Sequence, residues 1–191
     1  MRIITGRARG LKLKTPAGLS TRPTSDRVKE SLFSILSGLI DFAAVDTVLD
    51  IFAGTGALGL EAVSRGARAA TFIDTTTTQI IRDNVMRTRF DGCNVLRGDF
   101  DKILRRLSRQ GLTFDLIFSD APYGKGLAQQ SLNLVAELNL LSAGGLTVVE
   151  HGADEILIAP PTLRPIRNAT YGNTTAIEIF IRGDELKSSS D

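Results

Sequence analysis

Apolar residues recur along this chain in two rhythms. Val28, Leu32, Ile35, Leu36 and Leu39 share one helical face, and Thr24, Ser25 and Asp26 before them predict the helix start. From residue 45 onward, short apolar runs alternate with helical stretches. The runs "VLDI", "AATFID", "NVLRGD", "FDLIFSD" and "GGLTVVEH" read as strands. Between them, "GALGLEAVSRGA", "TTTTQIIRDNVMRTRF" (opened by threonine caps), "ILRRLSRQ" and "LAQQSLNLVAELNLL" read as helices. Parallel strands need crossovers, so this alternation predicts a parallel sheet with helices on both faces. The stretch "PPTLRPIRNATYGNTTAIEIFIRG" adds two strands around a turn, an antiparallel finish. The expected class is α/β and Rossmann-like, with a mostly parallel seven-stranded sheet whose C-terminal strand is antiparallel. The expected divisions are a basic β extension over 1–24, the main domain over 25–183 and a disordered tail over 184–191.

Composition narrows the class without naming a function. The chain has 191 residues, 42% hydrophobic and 23% charged, which suits one well-buried domain. No apolar run approaches the roughly 18 residues that span a bilayer, and the N-terminus lacks the apolar core of a secretory signal. Cys93 has no disulfide partner and reads as a small packed thiol, and one histidine with one cysteine gives no metal cluster. The expectation is a cytoplasmic, metal-free monomer.

Charge is unevenly spread. Residues 1–30 hold eight basic side chains against two acidic, a net of +6, whereas the remaining 161 residues carry 15 against 19. In "RIITGRARGLKLKTP" the basic residues alternate with apolar ones, so a strand or hairpin would display several on one face. That pattern suits a polyanion such as nucleic acid. A merely solvated surface is the plain alternative.

Two stretches carry candidate chemistry. In "VLDIFAGTGALGLEA", Gly54, Gly56 and Gly59 follow a strand and open a helix, and Asp74 lies 18 residues past Gly56. This fits the dinucleotide fingerprint, and the glycines alone do not separate NAD from other adenosine cofactors. Asp50 tips the balance: an acid there is ill suited to a pyrophosphate and well suited to the amino group of a methionine moiety. Asp74 would take ribose hydroxyls, and Asp99 with Phe100 would cradle adenine, although Asp99 also suits a helix N-cap. Acids at three strand ends point to S-adenosylmethionine. The other stretch, "FDLIFSDAPYGKG", ends a strand in Asp120-Ala121-Pro122-Tyr123, where α/β sheets bind ligands.

With these motifs in hand the chain resembles the RsmD family, bacterial small-subunit ribosomal RNA guanine-N2 methyltransferases. Asp50-Ile-Phe52-Ala-Gly54-Thr-Gly56 resembles motif I of Rossmann-like class I methyltransferases, and Asp120-Ala-Pro-Tyr123 resembles motif IV of those acting on exocyclic amines. "MRIITGRARGLKL", "RPTSDRVKESLFSIL", "GALGLEAVSRGA", "PYGKGL", "VVEH" and "YGNT" also fit, from Met1 to about residue 182.

The resemblance implies S-adenosylmethionine as cofactor, with Phe52 lining its site and Thr24 helping to cover it. On residues alone, Thr24 need be no more than a helix cap. It implies that Asp120 and the Ala121 carbonyl orient the target amine while Tyr123 stacks on the base. Where the family has proline this chain has Ala121, which removes the ring that fixes φ but leaves Pro122 to extend the residue before it. The expectation is retained geometry in a looser loop. The implied partner is 16S ribosomal RNA or the small subunit, with Arg7, Arg9, Lys12, Lys14 and Arg22 on phosphates. Lys125 would meet a phosphate near the base, or sit as a solvated loop lysine. Adenine-N6 methylation and an RNA-binding assembly factor with weakened catalysis are the alternatives.

Overall fold

The structure, a computed structural model, describes residues 1–16 and 26–183. In chain order these form α1 (Asp26–Ser37), a short 3-10 turn (Phe42–Ala44), β1 (Thr47–Ile51), α2 (Ala57–Arg65), β2 (Ala69–Asp74), α3 (Thr78–Thr88) and β3 (Cys93–Arg97). There follow α4 (Phe100–Arg109), β4 (Phe114–Asp120), α5 (Leu127–Glu137), β5 (Leu141–Gly152), β6 (Leu163–Tyr171) and β7 (Thr175–Arg182). The seven strands run in the order β3-β2-β1-β4-β5-β7-β6. β1 pairs with β2, β2 with β3 and β4 with β5 in parallel, whereas β7 is antiparallel to β5 and β6. This is the mostly parallel seven-stranded sheet with an antiparallel last strand that the residue pattern predicts. Among the described residues, no helix is long and apolar enough to cross a membrane.

The chain forms two compact units, Met1–Ile103 and Leu104–Asp191. In the first, Val48, Leu49 and Ile51 of β1 and Phe72 and Ile73 of β2 are buried. Each such side chain contributes roughly 1.5–3 kcal/mol relative to exposure. Helix α2 is unusual because every residue from Ala57 to Ser64 is buried, the polar Glu61 and Ser64 among them. The N-terminal segment explains this. Ile4 and Thr5 donate their amides to Glu61 at 2.7 and 3.0 Å, and Arg7 donates its amide to the Ser64 carbonyl at 2.8 Å. Gly6 is required here: φ is +83°, and a Cβ would lie 1.8 Å from the Ser64 oxygen.

Lys29 completes that arrangement and changes the reading of α1. The buried face of α1 is Lys29, Leu32, Phe33 and Leu36, while Leu39 is exposed. The Lys29 ammonium lies 3.4 Å from Glu61, both side chains fully buried, and donates to the Arg2 carbonyl. Burial lowers its pKa and the Glu61 carboxylate opposes that shift. Lys29 is therefore an internal strut and no part of a polyanion-facing surface.

The start of α3 also differs from expectation. Its cap residue Thr77 makes no side-chain cap hydrogen bond. Asp74 accepts the amides of Thr76 and Thr77 instead, at 2.8 and 2.9 Å. The strand-end acid thus fixes the turn that leads into α3, before the first helical residue.

In the second unit, β4 pairs with β5 so that Asp120 faces Glu150 in register, and β7 places Thr175 opposite Gly152. Phe118 and Phe180 fill this core. β6 ends the strand order and carries Pro165 beside a register shift, where proline's missing N–H is tolerated.

Candidate active site

In the first unit the strand ends converge on the glycine loop. Gly54 and Gly56 have φ of +57° and +78°, and Phe52 stands in the same left-handed region at +59°. A non-glycine residue held there stores strain of order 1–3 kcal/mol, a mark of functional turns. Gly59 serves packing: a Cβ on it would meet the Phe72 ring at 2.5 Å. That close approach lets the Gly59 amide reach Asp50 at 2.9 Å. Asp50 is 1% exposed. Burial pushes its carboxyl up to about 8, only partly offset by the Gly59 amide.

Asp74 is the counterpart with the opposite electrostatics. It is half-buried, which alone would raise its pKa, yet the amides of Thr77, Thr76 and Gly54 hold it below the usual range. The Gly54 amide reaches it at 3.0 Å, so the acid closes the glycine loop while remaining an ionised acceptor. Asp99 is exposed and accepts the Lys102 amide at 3.2 Å, which makes it the N-cap of α4. Phe100 is buried, with its ring 4.7 Å from the half-buried Phe52 ring. Asp50, Phe52, Gly54, Gly56, Asp74 and Phe100 thus belong to one strand-end cluster.

Asn84, unforeseen in the residue pattern, ties this loop to the basic segment. Its buried amide donates to the carbonyls of Thr55 and Lys14 at 2.9 and 3.0 Å and accepts the Lys14 N–H at 2.7 Å. The N-terminal segment itself is a looped strap with a single Arg2–Lys12 bridge. Arg7 spans the Phe90 ring at 4.9 Å and donates to the Val63 carbonyl, and Lys14 pairs with Asp83 at 2.8 Å. Arg9 and Lys12 are exposed. Arg22 and Thr24 lie outside the described residues, as do 184–191.

In the second unit, Asp120 ends β4, Ala121 is buried and Pro122 is exposed. Tyr123 donates its hydroxyl to Glu150 at 2.6 Å, with Thr175 at 3.2 Å. Burial and the Glu150 carboxylate together push the phenol well above its ordinary range, so it stays protonated. Its polar end is committed to the protein. Gly124 donates its amide to Glu155 at 3.2 Å, and Lys125 is exposed on the same turn. His151 is buried, with Nδ1 against the Gly152 carbonyl at 2.9 Å, a packing role. Cys93 is half-buried and its thiol is raised to about 11 by burial. Among the described residues no group of His, Cys, Asp or Glu could hold a metal ion.

The family model described as "Conserved hypothetical protein 95" matches residues 1–180. The chain belongs to this family, the RsmD family. Several relatives bear the name "Ribosomal RNA small subunit methyltransferase D". The one from Escherichia coli (strain K12) is 32% identical, with 100% of this chain and 94% of that protein covered. The one from Haemophilus influenzae is 35% identical, with 90% and 89% covered. A solved hypothetical protein of Thermus thermophilus superposes with TM-score 0.79 at 32% identity, over 93% of this chain and 98% of that one. This RsmD-family chain is a methyltransferase with the Rossmann-like fold of class I methyltransferases.

Proposed function

We propose that this chain transfers a methyl group from S-adenosylmethionine to N2 of a guanine in 16S ribosomal RNA. The observation that carries the reading is the Tyr123–Glu150 hydrogen bond at 2.6 Å. It commits the phenol oxygen to the protein and leaves the ring as the part of Tyr123 able to stack on a base. Asp120, directly before Ala121 and three residues before Tyr123, supplies a carboxylate acceptor for an exocyclic amine. The Ala121 carbonyl supplies another, and neither a general base nor a covalent intermediate is required.

The donor set fits the cofactor. Asp74, ionised and half-buried, suits ribose hydroxyls, and buried Asp50 suits a cationic amino group better than a pyrophosphate. S-adenosylmethionine supplies an electrophilic methyl, and the protein's residues bind, orient and hold the amine. Asp99 caps α4 and contributes to an adenine site through Phe100. Thr24 would complete the cofactor cover, and the strap residues Arg7, Arg9, Lys12 and Lys14, together with Arg22 and Lys125, the phosphate contacts. The names of the relatives support ribosomal RNA as substrate. The protein acts in the cytoplasm as a monomer.

The test is incubation with labelled S-adenosylmethionine and small subunits lacking guanine-N2 methylation. Label in the RNA is the expected result. Cofactor binding with no transfer, and recovery of transfer by Ala121→Pro, would favour the weakened assembly factor that Ala121 suggests.

A further inference from the structure

The segment after β5 displays two large apolar side chains, Ile156 at 88% and Ile158 at 74% exposure. Isolated exposed apolar residues are ordinary. These two are separated by one residue, and their backbone is fastened on both sides. The Glu155 carboxylate accepts the amides of Gly152 at 2.7 Å and Gly124 at 3.2 Å, and the Glu155 amide donates to the Gly152 carbonyl at 2.9 Å. On the other side Gln129 of α5 takes the place of a neighbouring strand. It accepts the Ile158 amide at 2.7 Å and donates to the Ile158 carbonyl at 2.9 Å. The ordering entropy of this backbone is spent during folding, so the isoleucines are presented already fixed.

We propose that Ile156 and Ile158 form an apolar wedge that fills the stacking space left in the RNA when the target base leaves its stack. The inference rests on the function proposed above. Chemistry on a base requires extruding it, which costs free energy, and apolar side chains inserted at a base step offset that cost. Position favours this role: Glu155, which anchors Ile156, is bonded to Gly124, the residue directly after Tyr123. Exposed Lys125, on the turn after Tyr123, offers a phosphate contact, against the single exposed acid Asp154 on the segment. Two isoleucines present far less than the roughly 800 Å² per partner of a stable protein interface, but enough to fill one base step.

The test compares the wild type with the I156S/I158S double variant. Both sites are exposed, so the thermal midpoint should be unchanged. The probes are protein-free folded 16S ribosomal RNA and a short unpaired fragment containing the base that the wild type methylates. The wedge predicts a fall of about 10–100-fold in transfer to folded RNA and a change of less than about threefold on the unpaired fragment. Restoration by I156L/I158L is also expected. A second readout needs no transfer: wild-type binding should raise 2′-hydroxyl acylation of the nucleotides flanking an extruded base, and the double variant should not. Equal losses on both RNAs, or no loss, would overturn the wedge. With assembled small subunits as a third substrate, a loss confined to them would overturn it in favour of a protein contact. Flanking reactivity without methyl transfer would sink the proposed function and leave the wedge standing.

Discussion

The two units build a strand-end loop in different ways. Around Gly54 the loop is held from within, by left-handed backbone at Phe52, Gly54 and Gly56 and by carboxylates that take the loop's own amides. Around Tyr123 the loop is held from outside, by Glu150, Glu155 and Thr175, which come from 27 to 52 residues further along the chain. A loop made of left-handed backbone strains any side chain placed at Gly54 or Gly56, whose φ are +57° and +78°. A loop clamped by side chains tolerates a changed residue at one point, which gives a physical reason why alanine can stand at 121. Pro122 still restricts Ala121, and the Tyr123 and Gly124 clamps follow directly.

The difference can be broken from either side. The largest expected effect is at Asp120: Asp120→Ala should lower methyl transfer about 10²–10³-fold with cofactor affinity unchanged, read by paired kinetics and calorimetry. A parallel loss of affinity would mean that the division of labour is wrong. Next is Gly59→Val, which drives a side chain into the Phe72 ring. It should cost about 1–3 kcal/mol in denaturant unfolding and weaken cofactor binding, since the Asp50–Gly59 contact must open. A smaller effect is expected at the clamp. Tyr123→Phe keeps the ring and loses the hydroxyl, so kcat should fall about tenfold, matching a hydrogen bond to a charged group of about 1.5 kcal/mol. Tyr123→Ala should fall further.

The last prediction concerns a proton. Asp50 is raised from 3.8 to about 8, so between those values the folded protein holds a proton that the unfolded chain releases. Stability of the cofactor-free protein should therefore decline as pH rises through that window, and Asp50→Asn should flatten the decline. A cationic amino group near Asp50 favours its ionised form. Cofactor binding at pH 7 should release up to one proton, measurable by calorimetry in buffers of different ionisation enthalpy.

The same contrast explains what the residue pattern revealed. Motif I is local: strand, glycines and Asp74 lie within one βαβ stretch, and each needs its residue type for a backbone reason. The strands are legible because their apolar runs are short and evenly punctuated, and Asp120 to Tyr123 stands out as a contiguous stretch at the end of one of them. Glu150 and Glu155 act across strands and carry no local signature, so their clamps emerge only when β4 and β5 are laid in register. Lys29 misleads because a basic residue among basic residues reads as surface. Its burial depends on Glu61, 32 residues away. Asn84 and the strap are hidden likewise, since an amide that mimics a strand neighbour looks like any helical asparagine.

The central claim is that the Asp120–Tyr123 loop presents a guanine N2 amine to a methyl donor, and one measurement reaches it directly. RNA from small subunits methylated by this protein is digested to nucleosides and the labelled product is identified by mass spectrometry. N2-methylguanosine is the predicted result, and N6-methyladenosine would contradict it.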